Sequence, residues 1–331
     1  MFSKRSFIAA ALCGVALPLA ACGSSGSSST GSPDAPAMAE GTHYTYVVSK
    51  AYIPATNAQA REYGFDLGGV KSNVPDGTVD NALGEKFGLL KAANIDVQAP
   101  VTKAIDGGTI LLLADLQTTD FSAADSAGLA IKLGDTAKVS PPACADANDM
   151  LCRHHLDGTG QFSVAADSPT TAAVSGKIDA GTFNGGPGEV TLQLAVGGGG
   201  PIRLTLHNAR VKAVSPSATA MTATIGGVLM ATDINSQIVP AIQATVAALL
   251  DTDCGTTRTL PTCGCTSTAT ITALRQFDTS PKDCQITLSE IADNALTKVI
   301  LAPDVCSTAT CAKPDALSLG IKVDAVTAVI Q

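Results

Sequence analysis

Tryptophan is missing from this chain of 331 residues, and 4 Tyr and 8 Phe bring the aromatic share to only 4%. Sugars are usually held against aromatic faces, so this scarcity weighs against carbohydrate binding. Charged residues make up 15%, and their balance is acidic, with a formal net charge of −8. Nucleic-acid recognition needs basic stripes, and docking on anionic lipid by charge needs basic clusters; neither is expected here. Beyond the first twenty-odd residues no apolar run reaches the roughly 18 residues of a membrane-spanning helix. Catalytic signatures are also lacking: there is no H-E-x-x-H, no G-x-S-x-G, no S-x-x-K and no P-loop in the body. A Ser-His-Asp triad would have to use His43, His154, His155 or His207, and no local pattern favours any of them.

What the chain does have begins at its first residues. A basic Ser3-Lys4-Arg5 precedes an apolar stretch from Phe7 to Leu19, and the small pair Ala20-Ala21 leads directly into Cys22. This is the tripartite pattern of a secretory leader, too short for a comfortable span. With Leu19, Ala20, Ala21 and Cys22 in their four positions, the segment resembles the lipobox of bacterial lipoproteins. The resemblance implies cleavage after residue 21, diacylglycerol on the Cys22 thiol and an acylated amino group. Two acyl chains already anchor a protein stably, so Cys22 would hold the chain on a membrane without a spanning helix. Gly23, which is not Asp, goes with outer-membrane sorting if the source is Gram-negative. The alternative is an ordinary leader cut nearby, leaving a secreted protein. Loss of Lys4 and Arg5 with the leader would carry the charge from −8 to −10.

Residues 22–41 are rich in Ser, Gly and Pro and carry almost no apolar bulk, so they read as a flexible tether. Chains of this kind span roughly 20 to 25 Å at this length. The remaining 42–331 are read as one β-rich α+β domain, with a subdivision near 144–160 left open. Of the 10 Cys, Cys13 belongs to the leader and Cys22 to the anchor. Cys144, Cys152, Cys254, Cys263, Cys265, Cys284, Cys306 and Cys311 remain, an even set that reads as a disulfide framework in an exported chain. Proximity nominates Cys144 with Cys152 and Cys306 with Cys311. The middle four pair among themselves, with Cys263 to Cys265 the least favourable choice.

Strand signals are frequent. Tyr44 to Ile53, Thr109 to Leu116, Leu129 to Leu133, Gln161 to Ala165, Ala173 to Phe183 and Val190 to Val196 are β-branched or alternating, with turn residues between them. Gly185-Gly186-Pro187-Gly188 reads as a turn. Ile202, Leu204 and Leu206 alternate with polar residues, and the parity shift to Ala209, Val211 and Ala213 predicts a bulge near Asn208. Ala220 to Met230 is a strand interrupted at Gly226-Gly227, and Leu317 to Ile330 closes the set. Helices are expected from an Asp80 cap through Leu83, Phe87 and Leu90, from about Val97 to Ile105, and from an Asp233 cap along Ile234, Ile238, Ile242, Val246 and Leu249. Pro240 predicts a kink in the last of these. Thr287 and Glu290 form a capping box with Ile286 and Ile291 as its staple, opening a helix to about Ile300. Asp80-Asn81-Ala82-Leu83 recurs as Asp293-Asn294-Ala295-Leu296, which is read as coincidence. The order of elements predicts an α+β fold: a mainly antiparallel β-sheet or sandwich with a few packed helices, stapled by disulfides.

The candidate metal site is a loop holding Asp66, Asn73, Asp76, Asp80 and Asn81 among glycines. Calcium takes oxygen ligands from such flexible loops, although the spacing departs from the regular calcium-loop pattern. The plainer reading is a solvated turn followed by a helix cap. Cys144, Cys152, His154 and His155 are zinc ligand types, but in an oxidising compartment the thiols are expected to pair. Apart from calcium no cofactor is expected. The function expected is that of a non-catalytic envelope lipoprotein, a structural or binding module for another envelope component. The alternatives are a module holding an apolar ligand such as lipid against the helix from Asp233, and a hydrolase or metal-dependent enzyme using unmarked residues.

Overall fold

Side chains on a strand alternate between two faces, and in this chain one face is apolar almost throughout. The computed structural model describes residues 41–331 apart from 68–77, 93–96, 147, 150, 196–199, 256, 257, 261 and 309. The segments expected to be leader and tether, with Cys22, lie outside the described residues through residue 40. Among the described residues ten strands are formed: β1 (Thr42–Tyr52), β2 (Leu112–Thr118), β3 (Ala124–Ser140), β4 (Gln161–Val164), β5 (Ala173–Asp179), β6 (Thr182–Leu194), β7 (Ile202–Val214), β8 (Ala220–Met230), β9 (Ala316–Thr327) and β10 (Val329–Ile330).

Eight of them close on themselves. Each pairs antiparallel with the next in the order β1-β2-β3-β5-β6-β7-β8-β9, and β9 returns to β1. The body is therefore mainly antiparallel β, as expected, but it is an up-and-down β-barrel rather than a generic sheet or a sandwich. Closure depends on β3. Its first half uses both edges, pairing with β2 on one side and β5 on the other, while its last residues pair with β4. β10 then lies parallel to β4.

Cross-strand partners share a face, so the register assigns inside and outside. Leu112 and Leu133, Ala114 and Ile131, and Leu116 and Leu129 face each other inside, and the ring continues through Val174, Phe183, Ala213, Ala223 and Val323 to Ala51. All of these are buried and belong to one core cluster. Alanines at the waist are what let eight strands fill their interior with side chains. The outer face carries Lys177, Asn184, Lys212, Thr224 and Lys322 in one cross-strand row. Apolar inside and charged outside is the reverse of the pattern a membrane-spanning barrel needs.

Helices occupy the connections from β1 to β2 and from β8 to β9. They are α1 (Asn57–Glu62), α2 (Ala82–Ala92), α3 (Gln98–Asp106), α4 (Ala231–Asp233), α5 (Val239–Cys254), α6 (Thr268–Phe277), α7 (Leu288–Asp293) and α8 (Ala295–Ile300). α3 packs on β1 and α2 on β9. A second small core of Leu67, Val228, Val305 and Ala316 lies outside the barrel.

Several sequence expectations change here. Asp80 does not cap α2; the side chain of Asn81 does, accepting from the Gly84 N–H at 3.1 Å. Asp233 ends α4, which starts two residues earlier, and a π turn at Ile234–Ile238 joins it to α5. Pro240 has no N–H to donate and crowds the turn before it, so the helix widens there. Leu250 takes the next buried position on α5, while Leu249 is exposed. The run from Ala173 to Phe183 is a hairpin, because Ala180 and Gly181 both have positive φ and reverse the chain. Gly185 to Gly188 forms no turn; it is an irregularity inside β6 that keeps its pairing with β7. The bulge near Asn208 is present, between His207 and Arg210. The capping box of Thr287 and Glu290 is formed, but the helix breaks at Asn294, whose extended backbone starts α8.

The cysteines pair as Cys144–Cys152, Cys254–Cys265, Cys263–Cys284 and Cys306–Cys311. Both short loops expected from proximity are closed, and the middle four pair among themselves with Cys263 and Cys265 apart.

Candidate functional sites

Three of the four imidazoles rest on carboxylates, each at its own place on the surface. His43 Nδ1 lies 2.9 Å from Asp115 Oδ1, and Lys132 Nζ lies 4.0 Å from Asp115 Oδ2. His154 Nε2 is 2.9 Å from Asp149 Oδ2. His207 bridges two acids, with Nδ1 3.2 Å from Glu189 Oε2 and Nε2 3.3 Å from Asp233 Oδ2. This last contact ties β6 and β7 to the end of α4. Among the described residues no hydroxyl or thiol hydrogen-bonds any imidazole, so none of these pairs has the nucleophile geometry of a triad.

His155 is different. It is fully buried, and its ring packs edge-on against Phe162 with centroids 6.1 Å apart. The four residues of zinc-ligand type do not come together: Cys144 and Cys152 are joined to each other, as expected of thiols in an oxidising compartment, His154 turns to Asp149, and His155 lies in the core. Other groupings of Cys with Asp253, Asp278 or Asp315 involve only disulfide-bonded sulfurs, which offer no thiolate for an ion.

Of the calcium candidates, Asn73 and Asp76 lie outside the described residues. Asp66 and Asp80 stand where the loop opens and closes, because Asp80 N–H donates to the Phe65 carbonyl at 2.8 Å. The buried Asp80 carboxylate also accepts from the Leu67 N–H at 3.1 Å, so it fastens the loop's own backbone. Asp304 lies nearby. Its carboxyl accepts from Ser318 N–H at 2.7 Å and from Ser318 Oγ at 2.6 Å. Burial pushes the Asp304 carboxyl above the usual carboxylate range, and the charge of Asp80 pushes it the same way, against the Ser318 bonds.

The sequence did not single out the cluster at one end of β1. Tyr52, Ile53, Pro54, Ala55, Gln59 and Tyr63 line a cleft of about 230 Å³, with Gln98 at its wall. Lys50 Nζ stands 4.5 Å over the Tyr52 ring, and Lys322 Nζ lies 5.9 Å from that ring and 5.8 Å from Tyr63. The Tyr52 hydroxyl donates to Asp324 at 2.5 Å, which fixes the ring. Gln98 is a structural wall, since its amide donates to the Ala51 carbonyl and accepts from the Ile53 N–H, both at 2.8 Å. Gathering Tyr52, Tyr63 and Lys322 depends on pairing β1 with β9, and their separation in the chain hides it.

A second groove, of about 260 Å³, runs between the π turn and α8 and is lined by Ile234, Val239, Ala292 and Leu301. Comparison with protein-family models, curated proteins and solved structures finds no match for this chain.

Proposed function

We propose that the protein is an exported lipoprotein, held on a membrane by lipid on Cys22, whose barrel serves as a non-catalytic structural or binding module of the cell envelope. The observation that carries this reading is the pairing of all eight cysteines that follow Cys22 in four disulfides. Such bonds persist where glutathione and thioredoxin do not reduce them, which is the destination the leader encodes. The interior of the barrel is packed with apolar side chains, so recognition of an envelope component falls to the outer surface. The cleft at Tyr52 and Tyr63 is the recognition surface we favour. For a Gram-negative source the membrane is the outer one.

Expression of the full chain in a bacterium that processes lipoproteins tests this. The wild type is expected in the membrane fraction with a diacylated Cys22 at its amino terminus by mass spectrometry, and Cys22→Ser in the soluble exported fraction. The denatured, unreduced body should present no titratable thiol. An unmodified amino terminus upstream of Cys22, or eight free thiols, would overturn the proposal.

The groove between the π turn and α8 favours a second reading, in which an apolar ligand is held beside the helix that starts near Asp233. Lipid copurifying with the detergent-free Cys22→Ser protein would support it.

A further inference from the structure

His155 sits in a 3-10 turn, His154–Leu156, on the connection between β3 and β4. The turn contacts β1, whose Val47 is fully buried and has the opposite parity to the inward Tyr46. Arg153 fastens it from two directions. Its guanidinium pairs with Asp106 of α3 and donates to the Ser49 carbonyl of β1 at 3.1 Å. Beyond the turn, Gly160 accepts from the Val329 N–H at 2.9 Å, which joins this connection to β10.

Under this cover neither ring nitrogen of His155 reaches a partner with full hydrogen-bond geometry, and the Ile105 carbonyl is the acceptor beside the ring. A buried neutral imidazole is tolerable there; a buried imidazolium, with only the Ile105 carbonyl beside it for its two N–H donors, is far costlier. We propose that His155 makes this cover acid-labile: uptake of a proton by its ring releases the turn and residues 157–160 from β1 and α3, baring the outer face of β1 around Val47 while the barrel stays closed.

The surrounding charges agree with this direction. Burial is the largest influence and opposes protonation. The Ile105 carbonyl favours protonation, Arg153 opposes it, Asp106 favours it and His154 opposes it, and together they leave the ring below its ordinary value. Asp106 is already neutralised by Arg153. Phe162 of β4 and the Gly108 backbone, which also adjoin the ring, bring no charge. In the released state the ring regains its ordinary affinity, near 6.5. A group depressed in the closed state takes up its proton on opening, so the closed form is fully stable above about 6.5 and weakens as the pH falls below it.

Hydrogen exchange on the full chain, corrected for intrinsic rates, tests the proposal at pH 7.5 and pH 5.0. Protection in peptides covering residues 151–164 should drop roughly ten- to thirty-fold at the lower pH, the gain expected when one histidine titrates only in the open form. Strands β5 to β8 should keep their protection. His155→Phe should abolish the drop, and His154→Asn, beside it, should retain it. Equal protection of the wild type at both pH values, or an undiminished drop in His155→Phe, would overturn the proposal. Should His155→Phe fail to fold, NMR titration of the wild-type His155 ring decides: the proposal requires a midpoint below that of free histidine, and a midpoint at or above it sinks the idea.

Discussion

The Asn81 side chain pairs with the backbone of Gly320 as a further strand residue would: its Nδ2 donates to the Gly320 carbonyl at 3.0 Å and its Oδ1 accepts the Gly320 N–H at 2.8 Å. β1 stops pairing with β9 at Tyr52 and Lys322, so Gly320 lies past the end of that ladder. One amide supplies the pair of bonds that β1 no longer gives. The same amide donates to the Ala60 carbonyl at 2.9 Å and caps α2 through the Gly84 N–H, so a single buried residue joins α1, α2 and β9.

Replacing Asn81 by Ala would strand the Gly320 N–H and carbonyl in a buried site. The expected loss is about 2 to 4 kcal/mol, from several buried groups left without partners. Urea unfolding of Asn81→Ala, with an unchanged slope and a lowered midpoint, checks it; a midpoint within experimental error of wild type would contradict the assignment.

Gly320 itself has no room for a side chain. A Cβ there would lie 2.2 Å from the Tyr63 carbonyl oxygen, whereas at Gly226, its cross-strand partner, the nearest atom is the movable ring edge of Phe65 at 2.8 Å. Gly320→Ala is therefore expected to cost about 3 kcal/mol or more, and Gly226→Ala about 1 kcal/mol. Thermal unfolding of both variants should rank them in that order.

The two disulfides of the helical segment and of the last loop should differ in worth. Cys263–Cys284 spans 21 residues and Cys306–Cys311 spans 5. On the chain-entropy view, the Cys263→Ser/Cys284→Ser double variant loses about 3 kcal/mol and Cys306→Ser/Cys311→Ser about 2 kcal/mol. Neither bridge lies within the barrel strands, so far-UV circular dichroism should keep its β signal in both.

The strands were legible because their alternation is local: Ile202, Leu204 and Leu206 face inward as read, and the parity shift after His207 does mark a bulge. Closure was not legible. It rests on β3 offering its second edge to β5, and nothing within Leu129 to Leu133 says that two partners will come. The glycines misled in the opposite direction. Gly185 to Gly188 and Gly226-Gly227 look like breaks, yet they stay inside strands because another segment presses close, as the Ala209 carbonyl does at Gly186 and Phe65 at Gly226. At both places the recurring Asp-Asn-Ala-Leu puts its Asn at the start of a helix. Asn294 starts α8 by accepting from the Leu296 N–H while its amide donates to the Gln276 carbonyl, the same double use seen at Asn81. Among the functional candidates, the single His and Asp residues could be named from sequence, whereas the gathering of Tyr52, Tyr63 and Lys322 appears only with the register of β1 and β9.

Glu290 contributes to the acid sensitivity of the helical segment. Burial pushes its carboxyl up, but bonds from the Thr287, Thr279 and Ser280 N–H groups and the Thr287 hydroxyl outweigh burial and hold it below the usual glutamate value. A carboxylate depressed in the folded state stabilises fully above its unfolded value, and that stability is lost as the pH falls through the folded one. Unfolding midpoints in urea should therefore decline below about pH 4.5, where the unfolded chain begins to take up the proton. Glu290→Gln removes the charge and leaves one acceptor oxygen for four donors. It should lose about 1 to 3 kcal/mol at pH 7 and flatten the decline between pH 4.5 and 3. An acid slope identical to that of wild type would show that other carboxylates govern it.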